Sequence, residues 1–168
     1  MKQLIYSAIA LTAIIVTSCQ KKPDVGGTAT QKMANEWWVT LDQGTTKDAF
    51  SIGHFKIATY NSSSNDNTIW VDDFENGWGF KIKTTADLNS LTFAAASGAN
   101  NEYYLPSNPT KFPKTVKITE GKIIPNAGHS KTGVLTDSIY FKVEFSDDPG
   151  TIYTMPGHAR TKFAEDDY

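Results

Sequence analysis

The clearest architectural signal in the sequence is the stretch Leu135-Thr-Asp-Ser-Ile-Tyr-Phe-Lys-Val-Glu-Phe-Ser-Asp-Asp-Pro-Gly-Thr-Ile-Tyr-Thr-Met155. Between residues 139 and 145 every second side chain is apolar, and tyrosine, lysine and glutamate occupy the positions between them. This two-residue period is typical of a strand with one face in water. Pro149 then fixes φ at the first central position of a turn, and Gly150 tolerates the positive φ that a type II turn needs at the second. The stretch therefore predicts a β-hairpin.

Short runs of the same character follow one another through most of the chain, separated by turn residues. Ahead of the hairpin, the candidate strands are residues 37–41, 50–60, 68–74, 78–84, 91–96, 114–119 and 121–125. Residues 97–113 are rich in glycine, asparagine and proline, and we predict a long loop there. Eight or nine short strands joined by sequential turns are typical of an up-and-down antiparallel meander.

Closure of this meander into a barrel would remove the free strand edges that otherwise template aggregation. We therefore predict an all-β fold consisting of a single antiparallel up-and-down β-barrel of about eight strands. A barrel of this size either holds one small ligand or is filled by its own side chains. A sandwich of two sheets is the alternative architecture.

The composition fits one globular domain. Of the 168 residues, 39% are hydrophobic and 12% are aromatic, which is enough for a packed core. The 16 lysine and arginine residues nearly balance the 18 acidic residues, so the chain lacks the basic surface that binds nucleic acid. We expect no nucleic-acid partner.

The first residues have the features of an export signal. Lys2 precedes an apolar run over residues 4–16 that is too short to span a bilayer comfortably. The sequence Val-Thr-Ser-Cys at 16–19 resembles the lipobox of bacterial lipoproteins, in which the chain is cut before the cysteine and the thiol is lipidated, with palmitate for example. An ordinary secretory signal with a chance cysteine is the alternative. We predict a signal peptide at 1–18, a flexible tether at 19–33 lipidated on Cys19, and a barrel domain at 34–168.

Seven segments together resemble a known family. They are Asn-Glu-Trp-Trp-Val at 35–39, Gly-His-Phe-Lys-Ile-Ala-Thr-Tyr-Asn at 53–61, Ile-Trp-Val-Asp-Asp at 69–73, Trp-Gly-Phe-Lys-Ile-Lys at 78–83, Asp-Ser-Ile-Tyr-Phe at 137–141, Ser-Asp-Asp-Pro-Gly-Thr at 146–151 and Gly-His-Ala-Arg-Thr at 157–161. The set resembles the small Gram-negative lipoproteins called "lipid-binding putative hydrolases". The resemblance covers about residues 34–165 and implies a lipocalin-like, calycin-type barrel with an apolar ligand cavity. Residues 97–114 are longer and richer in proline than the family pattern.

The hydrolase part of that description finds no support in sequence motifs. The chain has no Gly-x-Ser-x-Gly elbow. Ser138 stands beside Asp137 in the hairpin strand, but adjacent strand residues point to opposite faces. The histidines have no compact metal-ligand spacing. We therefore predict no catalytic residues, no metal and no cofactor.

The candidate ligand-binding residues are aromatic or polar side chains of the predicted strands: His54, Trp70, Trp78, Tyr140, Tyr153, His158 and Arg160. Trp70 and Trp78 would form an aromatic wall. Arg160 is the only arginine, and it could clamp a fatty-acid carboxylate or pair with an acidic group such as the tail at 165–167. His54, placed within the second strand, and His158 would orient a head group inside the cavity or simply close one end of the barrel.

These observations predict a membrane-anchored lipoprotein that binds a lipid or another apolar small molecule in its barrel. We expect the protein to be exported and held in the cell envelope, at the outer membrane. A filled barrel acting as a carbohydrate-binding or protein-interaction domain is the alternative, with Trp70-Val71-Asp72 and Asp73-Phe74 as a surface platform for sugar rings. A lipid or ester hydrolase is the third class.

Overall fold

The computed structural model describes residues 26–168. The predicted signal peptide, Cys19 and the first part of the predicted tether lie outside the described residues. The described chain contains nine strands and two short 3₁₀ helices, and none of its helices has the length and apolar character needed to cross a bilayer.

The strands are β1 (Asn35–Val39), β2 (Asp42–Gln43), β3 (Phe55–Asn61), β4 (Thr68–Asp72), β5 (Lys81–Asp87), β6 (Thr92–Asn100), β7 (Thr115–His129), β8 (Leu135–Phe145) and β9 (Tyr153–Ala159). The 3₁₀ helices are Gln31–Met33 and Ala164–Asp166.

The sheet closes on itself. From β3 to β9 each strand pairs antiparallel with the next one in sequence, and β1 pairs with both β3 and β9. Trp38 is the cross-strand partner of Lys56 on one side and of His158 on the other. The short strand β2 adds to β9 beyond the end of β1. The predicted up-and-down barrel of about eight strands is therefore confirmed, and the sandwich alternative is wrong.

The hairpin that decides the fold forms as predicted. β8 and β9 pair from Ser138 to Val143, and the turn between them contains Pro149 and Gly150. Gly150 has a φ of 86°, and the backbone N–H of Thr151 donates to the carbonyl oxygen of Asp148 at 3.4 Å. This is the geometry of a type II turn.

Some strand boundaries differ from the prediction. The second predicted strand began at residue 50, but β3 begins at Phe55. The sixth and seventh predicted runs are one long strand, β7, with an irregularity where Glu120 adopts a φ of 53°. The predicted loop at 97–113 is shorter, because β6 continues to Asn100.

The two ends of the barrel are closed in different ways. The first 3₁₀ helix packs Met33 into the core at one end, which we call the Met33 end, and the Thr59 hydroxyl donates to the Met33 carbonyl oxygen. Thr30 is also buried, so packing begins four residues before the predicted domain boundary at residue 34.

Because successive strands alternate in direction, the opposite end gathers the segments 40–54, 73–80, 101–114 and 146–152. We call it the aromatic end after its rings, which are Phe50, Trp78, Phe145 and Tyr153.

The space between the two ends is filled by side chains. The largest fully buried side chains are Met33, Trp37, Leu41, Ile57, Ile69, Phe80, Ile82, Ile118, Ile139, Phe141, Phe145 and Met155. They come from strands around the whole barrel and form one cluster. A barrel of about eight strands is just wide enough to be filled by side chains in this way.

Candidate functional site

The aromatic end brings together rings from four separate segments. Trp78 stacks on Phe145, with ring centroids 4.6 Å apart, and its centroid is 5.1 Å from that of Tyr153. Phe50 approaches Trp78 edge-on at 5.5 Å and lies 5.7 Å from Tyr153. Phe145 and Tyr153 are fixed by the last position of β8 and the first of β9. Trp78 and Phe50 come from loops, so these two rings cover a base built by the strands.

Two carboxylates of the hairpin turn hold the rings in place. The indole N–H of Trp78 donates to Asp147, at 3.1 Å from Oδ1 and 3.2 Å from Oδ2. The hydroxyl of Tyr153 donates to Oδ2 of Asp148 at 2.6 Å. Burial of the ring, followed by this hydrogen bond, raises the pKa of Tyr153 to about 12. The tyrosine therefore stays neutral and keeps its donor at physiological pH.

The loop that carries Trp78 is organised around the buried carboxylate of Asp73. Its oxygens accept hydrogen bonds from the backbone N–H groups of Glu75, Gly79 and Phe80 at 2.8–3.0 Å. Burial raises the pKa of Asp73, and the three backbone donors act against that shift. Phe74 and Glu75 have φ values of 53° and 60°, which only a strongly held turn imposes on side chains other than glycine. Asp73 therefore positions the loop that carries Trp78, a role that was not predicted from the sequence.

The loop that carries Phe50 has a similar support. The carboxylate of Asp48 accepts from the backbone N–H groups of Ile52 and Gly53, each at 2.9 Å. The buried carboxylate of Asp42 in turn accepts from the backbone N–H of Asp48 at 2.9 Å. Phe50 is thus presented at the tip of a loop whose base is closed by hydrogen bonds.

Large apolar side chains remain in water around these rings. Phe50 is 48% exposed and Ile152 is 55% exposed, and Ile52, Phe74 and Leu105 in neighbouring loops are exposed as well. An exposed apolar patch of this kind, bordered by polar residues, is typical of a ligand or partner site.

An open cleft of about 530 Å³ lies elsewhere, across β5, β6 and β7. Its lining combines charged side chains, including Asp87, Glu120 and Lys122, with the buried ring of Phe93. None of the candidate ligand-binding residues lines this cleft.

Trp70, one of the two residues of the predicted aromatic wall, lies on the outside of the barrel. Trp70 stands between Ile69 and Val71, which are both fully buried, and its ring lies under the ammonium groups of Lys81 and Lys83. Its expected place in an inner aromatic wall was wrong. The lysines also cover the ring that the sugar platform would require.

Tyr140 has the same orientation. It stands between the fully buried Ile139 and Phe141, and the ammonium group of Lys122 lies 5.1 Å from the centroid of its ring. It therefore packs on the outer wall and does not line the barrel interior.

The two histidines that were predicted to orient a head group, His54 and His158, also lie on the outside of the barrel, beneath the C-terminal residues. His54 precedes β3 instead of lying within a strand, and it stacks on Tyr168 with a centroid distance of 4.0 Å. His158 faces outward beside Trp38, with its ring 6.1 Å from that of His54, and its Nε2 is buried without a hydrogen-bond partner. Burial lowers the pKa of both histidines, and the neighbouring His54 lowers that of His158 further. The expected head-group patch inside a cavity was wrong.

Arg160 pairs with the acidic C-terminal tail, which was the alternative to binding a fatty-acid carboxylate. Its guanidinium group donates through Nε and a terminal nitrogen to both oxygens of Asp167, at 2.6 and 2.5 Å, and through the other terminal nitrogen to Glu36 at 2.8 Å. These contacts fasten the C-terminal residues to β1. The guanidinium is thus committed to an ion-pair network on the outer wall and does not reach the barrel interior.

The Asp137–Ser138 pair forms no nucleophile arrangement. The hydroxyl of Ser138 donates to the carbonyl oxygen of Gly157 at 2.9 Å, whereas Asp137 accepts from the backbone N–H of Asn126. Within residues 26–168 no group of three histidine, cysteine or acidic side chains is arranged to hold a metal ion.

Comparison with known proteins gives one positive result. A family model described as "lipid-binding putative hydrolase" matches residues 22–164, a range that contains all the strands of the barrel. The search of curated proteins finds no match.

Proposed function

The chain belongs to the family of lipid-binding putative hydrolases, and on this premise we propose that it is a membrane-anchored lipoprotein whose barrel takes up a lipid or another apolar small molecule through the aromatic end. The family match agrees with the resemblance found in the sequence. Of the seven candidate ligand-binding residues, Trp78 and Tyr153 belong to this end, and Phe50 and Ile152 join them there.

The observation that carries this proposal is the exposed apolar surface around Trp78. Phe50 leaves about half of its side chain in water although it contacts Trp78, whose stack on Phe145 continues into the core, and Ile152, which precedes Tyr153 in the chain, is 55% exposed. A buried apolar side chain contributes roughly 1.5–3 kcal/mol relative to an exposed one. An acyl chain laid against these side chains would recover that contribution, which supports a lipid as the ligand.

Entry of a ligand into the barrel requires the loop rings to move. The interior is filled by core side chains, and the rings of Phe50 and Trp78 cover it at this end. Both are loop residues, whereas Phe145 and Tyr153 beneath them are strand residues. Displacement of the two loop rings would leave the β-sheet intact and extend the apolar surface inward.

The test compares matched exposed residues at the two ends of the barrel. Phe50→Ser and Ile152→Ser remove apolar surface at the aromatic end, while Phe163→Ser and Leu135→Ser remove residues of similar exposure, 58% and 56%, elsewhere. Binding of a fluorescent fatty acyl probe should weaken at least about tenfold in the first pair, equivalent to about 1.4 kcal/mol, and stay unchanged in the second. Equal effects of the two pairs, or no binding by the parent protein, would reject the proposal.

The anchor is a separate part of the proposal and rests on the sequence around Cys19. Labelled palmitate fed to cells that export the protein should be incorporated into the parent chain and absent from Cys19→Ser. Fractionation should place the parent chain with the outer membrane and release the variant. Recovery of both forms in the soluble fraction would contradict lipid anchoring.

A further inference from the structure

The charge of the barrel differs between its two ends. The four segments of the aromatic end, residues 40–54, 73–80, 101–114 and 146–152, carry seven acidic side chains and three lysines. The segments 61–67, 88–91, 130–134 and 160–168 at the opposite end carry four acidic and three basic side chains. The aromatic end is therefore the more negative one, and a cleft of one charge sign favours ligands of the other.

The acidic groups nearest the rings have no neutralising partner. Asp147 and Asp148 accept hydrogen bonds from Trp78 and Tyr153, and neither forms an ion pair with a lysine or arginine within residues 26–168. Asp48, which supports the Phe50 loop, has no such pair in this range either. Lys47 lies in the same loop, but its ammonium group is 2.8 Å from the carboxylate of Asp42.

Aromatic rings and free carboxylates attract the same type of group. A ring face stabilises a cation through its quadrupole, with tryptophan the strongest, by about 0.5–2 kcal/mol depending on desolvation. Nearby carboxylates act in the same direction and repel anions. No arginine takes part in this end, because Arg160, the only one in the chain, is bound to Asp167 and Glu36. The described rim therefore has no guanidinium group to clamp a fatty-acid carboxylate through two hydrogen bonds.

We propose that the aromatic end selects amphiphiles with a positively charged head group, of the primary or quaternary ammonium type, over fatty acids and other anionic lipids. This inference rests on the proposed function, since it names the class of ligand that the same end takes. The acyl chain lies against Phe50 and Ile152, and the ammonium group lies beside the carboxylates of Asp147 and Asp148, next to the rings that these carboxylates hold.

The experiment uses three probes with the same chain and different heads, namely decyltrimethylammonium, decyl maltoside and decanoate. Each is titrated below its micelle concentration into the full chain carrying Cys19→Ser, so that no acyl group at that position competes. Isothermal titration calorimetry and tryptophan fluorescence give the affinity. The cationic probe should bind at least about tenfold more tightly than decanoate, with the neutral probe between them, and added salt should reduce the difference.

Single substitutions test whether the preference for a cationic head group depends on Asp147 and Asp148. Asp147→Asn and Asp148→Asn keep an acceptor oxygen for the ring donors, and each should weaken binding of the cationic probe at least about threefold more than binding of decyl maltoside. Glu165→Gln removes an exposed carboxylate at the opposite end and should change nothing. Near-ultraviolet circular dichroism checks that the Trp78 environment is retained.

The outcomes separate this inference from the proposed function. Equal affinity for all three probes, tighter binding of decanoate, or a cationic preference that survives both asparagine variants overturns the head-group selectivity and leaves lipid binding in place. Absence of binding by all three probes overturns both.

Discussion

The indole ring of Trp78 lies flat on the ring of Phe145, with 4.6 Å between the centroids and 7° between the planes. Phe145 is the last residue of β8 and is fully buried, so the contact joins a loop to the core of the barrel. Offset stacks of this kind contribute about 0.5–1.5 kcal/mol beyond the burial of surface. Trp78 therefore serves both the stability of the fold and the shape of the proposed binding end.

Trp78→Ala should lower the free energy of unfolding by about 2–4 kcal/mol, because the substitution removes the stack and leaves a gap over Phe145. Urea denaturation measures the loss. Trp70→Ala on the outer wall is the control, and we expect it to cost less than half as much, since its ring packs mainly beneath lysine side chains. Equal losses in the two variants would show that the stack does not close the core.

Asp73→Ala should destabilise the protein by at least about 2 kcal/mol, because the buried backbone N–H groups of Gly79 and Phe80 lose their acceptor. The near-ultraviolet signal of Trp78 should weaken as the loop loosens. Asp87→Ala provides the comparison, since this carboxylate accepts from two backbone N–H groups in an exposed turn. Water can replace it there, so we expect a much smaller loss than for Asp73→Ala.

Gly157→Ala should strain the closure of the barrel. A Cβ atom at this position would lie 2.3 Å from the carbonyl oxygen of Trp38, so β1 and β9 would have to separate. We expect a loss of about 1–3 kcal/mol, measured by thermal unfolding. Gly26→Ala meets no atom within 4 Å and should be neutral. A Gly157→Ala variant as stable as the parent would mean that β1 and β9 can separate at this position at little cost in free energy.

Stability should fall as the pH decreases from about 7 to 5, because the pKa of His158 is lowered in the folded state. The unfolded chain then binds the proton more readily, so the contribution of the neutral histidine is complete above its ordinary pKa of about 6.5 and is lost as the pH falls through the lower folded value. His54, Asp166 and Tyr168 surround the ring. Burial also lowers the pKa of His54, so this histidine shares the response, whereas the charge of Asp166 acts against the lowering of the His158 pKa.

His158→Gln should flatten the dependence of the unfolding midpoint on pH in this range. His129→Gln is the control, since His129 is exposed on β7. A slope unchanged by His158→Gln would contradict the assignment to this ring.

The hairpin could be predicted from sequence because its information is local. The period of residues 139–145 and the Pro-Gly turn are complete within one stretch. The start of β3 could not be predicted in the same way, because the two-residue pattern continues back to Phe50. Hydrogen bonds from Ile52 and Gly53 to Asp48 turn the backbone there instead, and nothing in the periodicity reveals them.

The long strand β7 was divided in the prediction because Glu120-Gly121 resembles a turn. In the structure Gly121 is needed for another reason. A Cβ atom there would lie 2.4 Å from the carbonyl oxygen of Phe93 on the neighbouring strand, so the glycine permits a close approach between strands. A close contact between distant segments has no signature in one sequence.

The candidate site shows the same division between local and distant information. Trp78 and Tyr153 were predicted and lie together at the aromatic end. The outward orientation of Trp70 was available from its position between two aliphatic neighbours. For Arg160, the pairing with the nearby acidic tail was among the alternatives named from the sequence, whereas its second partner Glu36, 124 positions away in the chain, could not be inferred.

Met33 packs into the core at the Met33 end, where the chain leads into β1. Phe50, Trp78 and Tyr153 lie at the aromatic end, on the opposite side of the barrel. If Cys19 is acylated as proposed, the Met33 end would lie toward the membrane and the aromatic end would face away from it. A ligand bound at the aromatic end, as proposed, would then be taken up from the aqueous side and not from the leaflet that holds the anchor.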